Sequence, residues 1–317
     1  MRAVVTGSSG MIGTALCERL LGLGYDVTPV DREPNQWNRE VNAATRLVDL
    51  TSSPSSFDLP SDGVDVIVHL AANARVHDLV VRPELALENI VTCGHALEYA
   101  RETGAHFIFA SSREVYGNQG QTRYRESDAT LERVESPYAA SKLAGEALVQ
   151  SYGRVYGLPG TIVRLSNVYG RYDLSERFIP ACVKAATSGL PLSIFGAEKQ
   201  LDFTYLDDVV DCLMAAIEHG GSAPAEVYNV ATGQAASLVE AAELVSRALG
   251  RPLELKLASV RPGEVVSYEA DIAKAAEHLG YRPRFSLSTA LPIAIAWYRS
   301  QADERRGPDA EIAQKLT

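Results

Sequence analysis

The first thirteen residues, Met-Arg-Ala-Val-Val-Thr-Gly-Ser-Ser-Gly-Met-Ile-Gly, constrain this chain more than any other stretch. Residues 3–5 are a short apolar run that reads as a buried strand. The run breaks at Gly7 into a turn carrying Gly10 and Gly13, and an apolar-periodic stretch follows over 15–23. Those parts make a dinucleotide site: Gly7 for the tight turn, Gly10 for close approach of the backbone to a pyrophosphate, Gly13 for close packing of the helix on the sheet. The helix N-terminus presents free N–H groups and the positive dipole end to the phosphates. A second strand over 26–30 ends in Asp31, where an acid accepts hydrogen bonds from the adenosine ribose.

Further strand-like runs at 64–70, 107–111 and 160–164 alternate with helical patterns. That alternation predicts right-handed crossovers and a doubly wound parallel sheet covered on both faces. The polar stretch 35–60 holds a short strand at 45–48 followed by Asp49-Leu50, and 83–103 and 137–156 read as long one-faced helices. Beyond Arg164 the rhythm loosens. Residues 166–175 read as loop, 178–188 as helix and 192–195 as strand. Then come helix at 207–219, strand at 227–230, helix at 238–249, and the segment 253–257 leading to Arg261-Pro262-Gly263-Glu264. This predicts a smaller mixed α/β lobe across the open ends of the sheet, with a loosely held polar tail over 301–317.

The net charge of -10 gives no support to a nucleic-acid surface. No apolar run approaches the ~18 residues that span a membrane. The first strand begins directly after Met1, so no signal peptide is expected. Cys17, Cys93, Cys182 and Cys212 lack metal-type spacing and read as reduced thiols of a cytoplasmic protein. His69 reads as packing at a strand end, the other histidines share no ligand spacing, and no metal site is expected.

Two stretches carry chemistry. Ser111-Ser112-Arg113-Glu114-Val115-Tyr116-Gly117 closes a strand that should end at the site, and Pro137-Tyr138-Ala139-Ala140-Ser141-Lys142 opens a helix. Tyr138 and Lys142 are four apart and share a helical face. An ammonium beside the phenol, with a cationic nicotinamide, should lower its pKa towards neutrality and make it a general base, with Ser112 sharing the substrate oxygen.

With these motifs in this order, residues 1–300 resemble an extended short-chain dehydrogenase/reductase of the nucleotide-sugar epimerase/dehydratase branch. The resemblance rests on Thr6–Gly13, His69-Leu70-Ala71-Ala72, Asn89, Ser111-Ser112, Tyr138 to Lys142, Arg164 to Gly170, Asp202 to Val209 and Arg261 to Glu264. It implies a Rossmann-type NAD-binding domain over 1–165, to which 203–231 return, and a nucleotide-sugar lobe over 166–202 and 232–300. It implies that Gly7, Gly10, Met11, Ile12, Gly13, Asp31, Asp49, Leu50, Leu70, Ala71, Ala72, Asn89, Tyr138 and Lys142 hold NAD. Tyr138 is then the base, Lys142 holds the nicotinamide ribose and Ser112 binds the sugar hydroxyl. Asn167, Arg261 and Glu264 match positions for the substrate's phosphates, ribose or base, and Phe195 packs on the base. Tyr268 matches a bulky position that narrows the sugar pocket against N-acetylated sugars.

One departure is Leu201-Asp202-Phe203, where relatives carry Arg-Asp-Phe and the arginine meets the diphosphate; Arg177 or Lys199 is the candidate replacement. A second is Arg113-Glu114. Sugar 4,6-dehydratases carry Asp-Glu there and glucuronate decarboxylases Ser-Glu, so the dehydratase acid is missing and Glu114 reads as a structural carboxylate paired to Arg113 or to a neighbouring loop. A 4-epimerase needs only base, hydride acceptor and room for a ketone to turn. The expectation is therefore 4-epimerisation of a UDP-hexose. The alternatives are decarboxylation or dehydration through Glu114, and, from another class, a non-catalytic NAD-binding protein. Asp31 favours NAD over NADP, with Arg32 as the counter-signal. Relatives dimerise through a four-helix bundle built from the helices at 83–103 and 137–156, which implies a homodimer here.

Overall fold

The computed structural model describes residues 1–53, 57–121 and 123–314, and from residue 302 only the backbone. Residues 54–56, inside the polar 35–60 stretch, and 315–317, at the end of the expected tail, lie outside the described residues.

Strand β1 (Arg2–Thr6) runs into the glycine turn and helix α1 (Met11–Gly22). Then come β2 (Asp26–Asp31), α2 (Arg39–Ala44), β3 (Arg46–Leu47), β4 (Val66–His69), the short α3 (Val76–Val81), α4 (Glu84–Thr103) and β5 (His106–Ser112). The chain continues through β6 (Arg123–Tyr124), α5 (Pro137–Tyr156), β7 (Gly160–Leu165), β8 (Asn167–Tyr169), α6 (Phe178–Ser188), β9 (Leu192–Phe195) and β10 (Gln200–Tyr205). Next are α7 (Leu206–His219), β11 (Glu226–Val230), β12 (Ala235–Ser237) and α8 (Leu238–Leu249). It closes with β13 (Leu255–Ala258), β14 (Ser267–Ala270), α9 (Ala273–His278) and α10 (Leu287–Gln314).

Seven strands form one sheet in the order β11-β7-β5-β4-β1-β2-β3, and each adjacent pair is parallel. The chain winds outward from β1 in one direction to β3 and in the other to β11. The strand order therefore reverses between β1 and β4, and a crevice opens at the carboxyl ends of these two strands. Alternate residues of each strand feed opposite cores. Ala3, Val5, Val66, Val68 and Ile108 pack with Leu16, Leu20, Val210 and Leu213 of α1 and α7. Val4, Ile67, Phe107, Phe109 and Ile162 pack instead with Leu97 and Val149 of α4 and α5.

Helix α5 starts where its sequence dictates. Ser136 Oγ accepts from the Ala139 N–H at 3.1 Å, Pro137 fills the first turn, and Gly157 ends the helix in the left-handed region at φ 67°.

A mixed five-stranded sheet joins β12, β10, β14 and β6, with β8 alongside β10, and a third core gathers under it with α6, α8 and α10. The stretch 166–175, expected to be loop, is therefore partly strand. Asn167 pairs with Phe203 and Tyr169 with Tyr205, a ladder set by residues far along the chain. Helix α10 runs on to Gln314, through most of the stretch read as a loose polar tail.

Candidate active site

The crevice between β1 and β4 opens into a cavity of about 910 Å³ that runs from the glycine turn to Phe195 and Arg261. Gly7 takes φ 72°, and a Cβ there would lie 2.7 Å from the Ala71 backbone nitrogen. A Cβ on Gly13 would fall 2.1 Å from the Gly7 carbonyl oxygen, so the helix start is pressed against the turn itself. At Gly10, the residue before α1, a Cβ would meet only the Gly7 oxygen, at 3.3 Å. Gly10 supplies no side-chain cap, and the first turn of α1 holds no acid. Met11, Ile12 and Gly13 of this uncapped first turn line the cavity, where the free N–H groups of a helix N-terminus suit an anion.

Asp31 ends β2 with one oxygen accepting from the Ser9 N–H at 2.9 Å and the other from the Glu33 N–H at 3.1 Å. The Asp49 carboxylate accepts from the Thr51 N–H and hydroxyl, which hold it below its usual range. Leu50, Leu70, Ala71 and Ala72 also line the cavity. Asn89 lines it too, but its amide is spent on Asn73 and Ser141: it accepts from the Asn73 N–H at 2.7 Å and donates to the Asn73 carbonyl and to Ser141 Oγ. Its side chain braces the loop after β4.

Ser112, Tyr138 and Lys142 meet at the middle of the cavity. Burial pushes the Tyr138 phenol up to about 12, a hydrogen bond with Ser112 opposes that rise, and the nearby Glu114 adds to it. Lys142 Nζ donates to the Ala110 carbonyl at 2.8 Å and lies 5.8 Å from the Tyr138 ring centre. Burial pulls the lysine down to about 8. Without the cationic nicotinamide that the expectation of a near-neutral phenol includes, desolvation of the phenolate dominates. His69 has the packing environment expected. It stacks on Phe107 and Phe109, bonds Thr6 Oγ1 through Nδ1 at 2.9 Å, and burial lowers its pKa to about 3.

Towards the second sheet, Asn167, Arg177, Phe195, Arg261 and Glu264 line the cavity, as does Leu201 in the place of the missing arginine. Arg177 precedes α6, is part-exposed, and sits 3.6 Å from Asp173. Lys199 is not a free cation: it is buried in an ion pair with Glu264. The Arg261 guanidinium covers the Phe195 ring, 3.7 Å from its centre. Tyr268 does not reach the cavity. It is fully buried behind the wall, stacked on Tyr116 and Tyr124 with ring centres 5.6 and 5.8 Å away. β14 pairs with β10 and β6 and so turns Tyr268 into the third core, where it cannot narrow the sugar pocket directly.

The supporting roles of several further residues are not legible in the sequence. Glu146 and Arg164 form a buried pair at 2.7 Å, and Glu146 also accepts from Ser111 Oγ. Arg164 reaches on to Tyr116, which donates to Asn229. This network ties β5, α5 and β11 behind the site; its only sequence trace is a charge inside each of two apolar elements. Asp202 is spent on the Thr232 and Gly233 backbone N–H groups and is structural. No group of three or more His, Cys, Asp or Glu able to hold a metal is found among the described residues.

A doubly wound sheet whose reversal point faces a glycine turn and a tyrosine–lysine helix is the framework of the short-chain dehydrogenases/reductases, and this chain is an enzyme of that class. Residues 3–231 match the model of the NAD dependent epimerase/dehydratase family, and the chain belongs to it. An uncharacterized UDP-glucose epimerase of Bacillus subtilis (strain 168) is 32% identical, with 95% of this chain and 98% of that one covered. A dTDP-glucose 4,6-dehydratase of Haemophilus influenzae is 29% identical over 94% of this chain and 98% of its own. Among solved structures, the UDP-glucose 4-epimerase of Thermotoga maritima with UDP-glucose superposes with a TM-score of 0.87 at 29% identity, over 95% of this chain and all of that one. The UDP-glucuronic acid 4-epimerase of Bacillus cereus with UDP-glucuronic acid and NAD gives 0.85 at 27%, over 95% and 100%. NAD is the cofactor of the family, and the open, capless turn at Gly10 fits its pyrophosphate.

Proposed function

We propose that this chain interconverts the C4 epimers of a UDP-hexose of the galactose/glucose type, with Tyr138 as base. The observation that carries the reading is the company Tyr138 keeps. The phenol is buried, hydrogen-bonded with Ser112 and four residues from Lys142, while the adjacent carboxylate, Glu114, is locked to Arg113 at 2.8 Å. An elimination requires an acid and a base besides the tyrosine, and the residue beside Glu114 is Arg113 rather than a second acid. NAD, which the glycine turn, Asp31, Asp49 and the Leu70–Ala72 loop would hold, would accept the C4 hydride and later return it, and its positive ring would favour the phenolate. Ser112 then binds the C4 hydroxyl, Tyr138 takes its proton, and Lys142 holds the nicotinamide ribose. Once the ketone had turned, Tyr138 would return the proton to the C4 oxygen.

Arg261 and Arg177 are the cations for the diphosphate in place of the arginine missing at Leu201. Arg177→Ala should therefore raise KM sharply with NAD retained, and an unchanged KM would dispose of its role. Asn167, Glu264 and Phe195 contact the nucleoside or phosphates. Leu87 and Val91 on α4, with Val155 and Tyr156 on α5, are exposed apolar residues and support a homodimer through a four-helix bundle. The four cysteines are buried and free, which supports a reducing, cytoplasmic setting; no helix among the described residues is long and apolar enough to cross a membrane. Proton NMR with UDP-galactose and no net NADH formed tests the activity: appearance of UDP-glucose supports it, and release of water or CO2 contradicts it.

A further inference from the structure

Directly after Ser112, Arg113 and Glu114 form a 3-10 turn whose side chains line the same cavity. Both residues are more than nine-tenths buried. The guanidinium is partly spent: Nη2 meets Glu114 Oε1 at 2.8 Å and Nε donates to Asn167 Oδ1 at 3.2 Å. Two atoms of the pair remain without a hydrogen-bond partner among the described residues, Arg113 Nη1 and Glu114 Oε2. A buried donor and a buried acceptor left open are costly in a folded chain, and in a binding cavity they mark what a ligand completes.

The chemistry of that ligand follows from charge and valence. The pair is neutral as a unit, and the nearby charges of Lys199 and Glu264 neutralise each other in a second, part-buried pair. A hydroxyl is able both to accept from Nη1 and to donate to Oε2. A carboxylate accepts from Nη1 but has no proton for Oε2, and it sets a second negative charge beside Glu114. We propose that the Arg113–Glu114 pair is a specificity clamp that selects an uncharged, hydroxyl-bearing sugar and rejects a uronate. The clamp rests on the epimerase reading above and names the sugar class for that site.

Calorimetric binding of UDP-galactose and UDP-galacturonate to the NAD-loaded protein, with turnover followed in parallel, tests it. The parent protein should favour UDP-galactose by about tenfold or more. Glu114→Gln keeps the shape, removes the negative charge and leaves Arg113 positive, so the preference should narrow or reverse. Arg113→Met leaves Glu114 alone and should widen it while weakening both ligands; circular dichroism melts establish that each variant is folded. Equal or tighter binding of the uronate by the parent, or a ratio unmoved in folded Glu114→Gln, overturns the clamp alone. Failure to bind or convert either sugar overturns the epimerase reading beneath it.

Discussion

Tyr138 and Lys142 carry the most specific expectations at the scale of single residues. Tyr138→Phe keeps the ring and removes the proton acceptor, so turnover should fall by about 10²–10⁴-fold while bound NAD, measured after denaturation, stays near the parent level. Lys142 gives a pH test. Folded, it releases its proton near pH 8; in the unfolded chain it holds it to about 10.5. Below pH 8 folding buries the charge at full cost. From pH 8 to 10.5 the unfolded chain binds the extra proton, so this residue's contribution to stability rises with pH. Lys142→Met should therefore gain most in Tm over the parent below pH 8, and melts at stepped pH should show the gain shrinking above it. The residues of the glycine turn and of the tyrosine helix were legible because fixed spacing on one strand end or one helix face brings them together. Tyr268 was not, because the direction its side chain takes is set by the pairing of β14 with β10 and β6. Its neighbours in space, Tyr116 and Tyr124, are over 140 residues away in sequence.

Whole elements follow local rules until pairing partners become remote. The seven-stranded sheet was legible from apolar runs, and α5 from its serine, proline and glycine signals. Strands β6, β8 and β12, two or three residues each, carry no pattern of their own and exist because β10 and β14 offer edges. The turn between β1 and α1 is where a small change should be felt most. Gly13→Ala puts a methyl 2.1 Å from the Gly7 oxygen, forces α1 off the turn and should abolish NAD retention. Gly10→Ala meets only one atom, at 3.3 Å, and should weaken NAD binding less. Absorbance of NAD released from each purified variant decides this order; equal retention in Gly13→Ala and parent would contradict the role given to the turn.

For the molecule as a whole, the cavity draws its walls from the large sheet, from the second sheet and from the loops between, so cofactor and sugar ends share one space. Leu87 and Val91 on α4 and Val155 and Tyr156 on α5 are exposed apolar residues, the surface that the homodimer reading uses. Val91→Glu together with Leu87→Glu should turn a dimer into a monomer in sedimentation velocity without unfolding it; a monomeric parent would contradict the bundle. The proposed transfer of a hydride off and back onto C4 of a UDP-hexose is tested most directly by proton NMR. The purified protein is incubated with UDP-galactose, UDP-glucose and UDP-glucuronate in turn, first alone and then with NAD. Interconversion of UDP-galactose and UDP-glucose with no net NADH, and little change in the glucuronate, is the expected result. Loss of water or CO2 from any of the three would contradict it and return Glu114 to the chemistry.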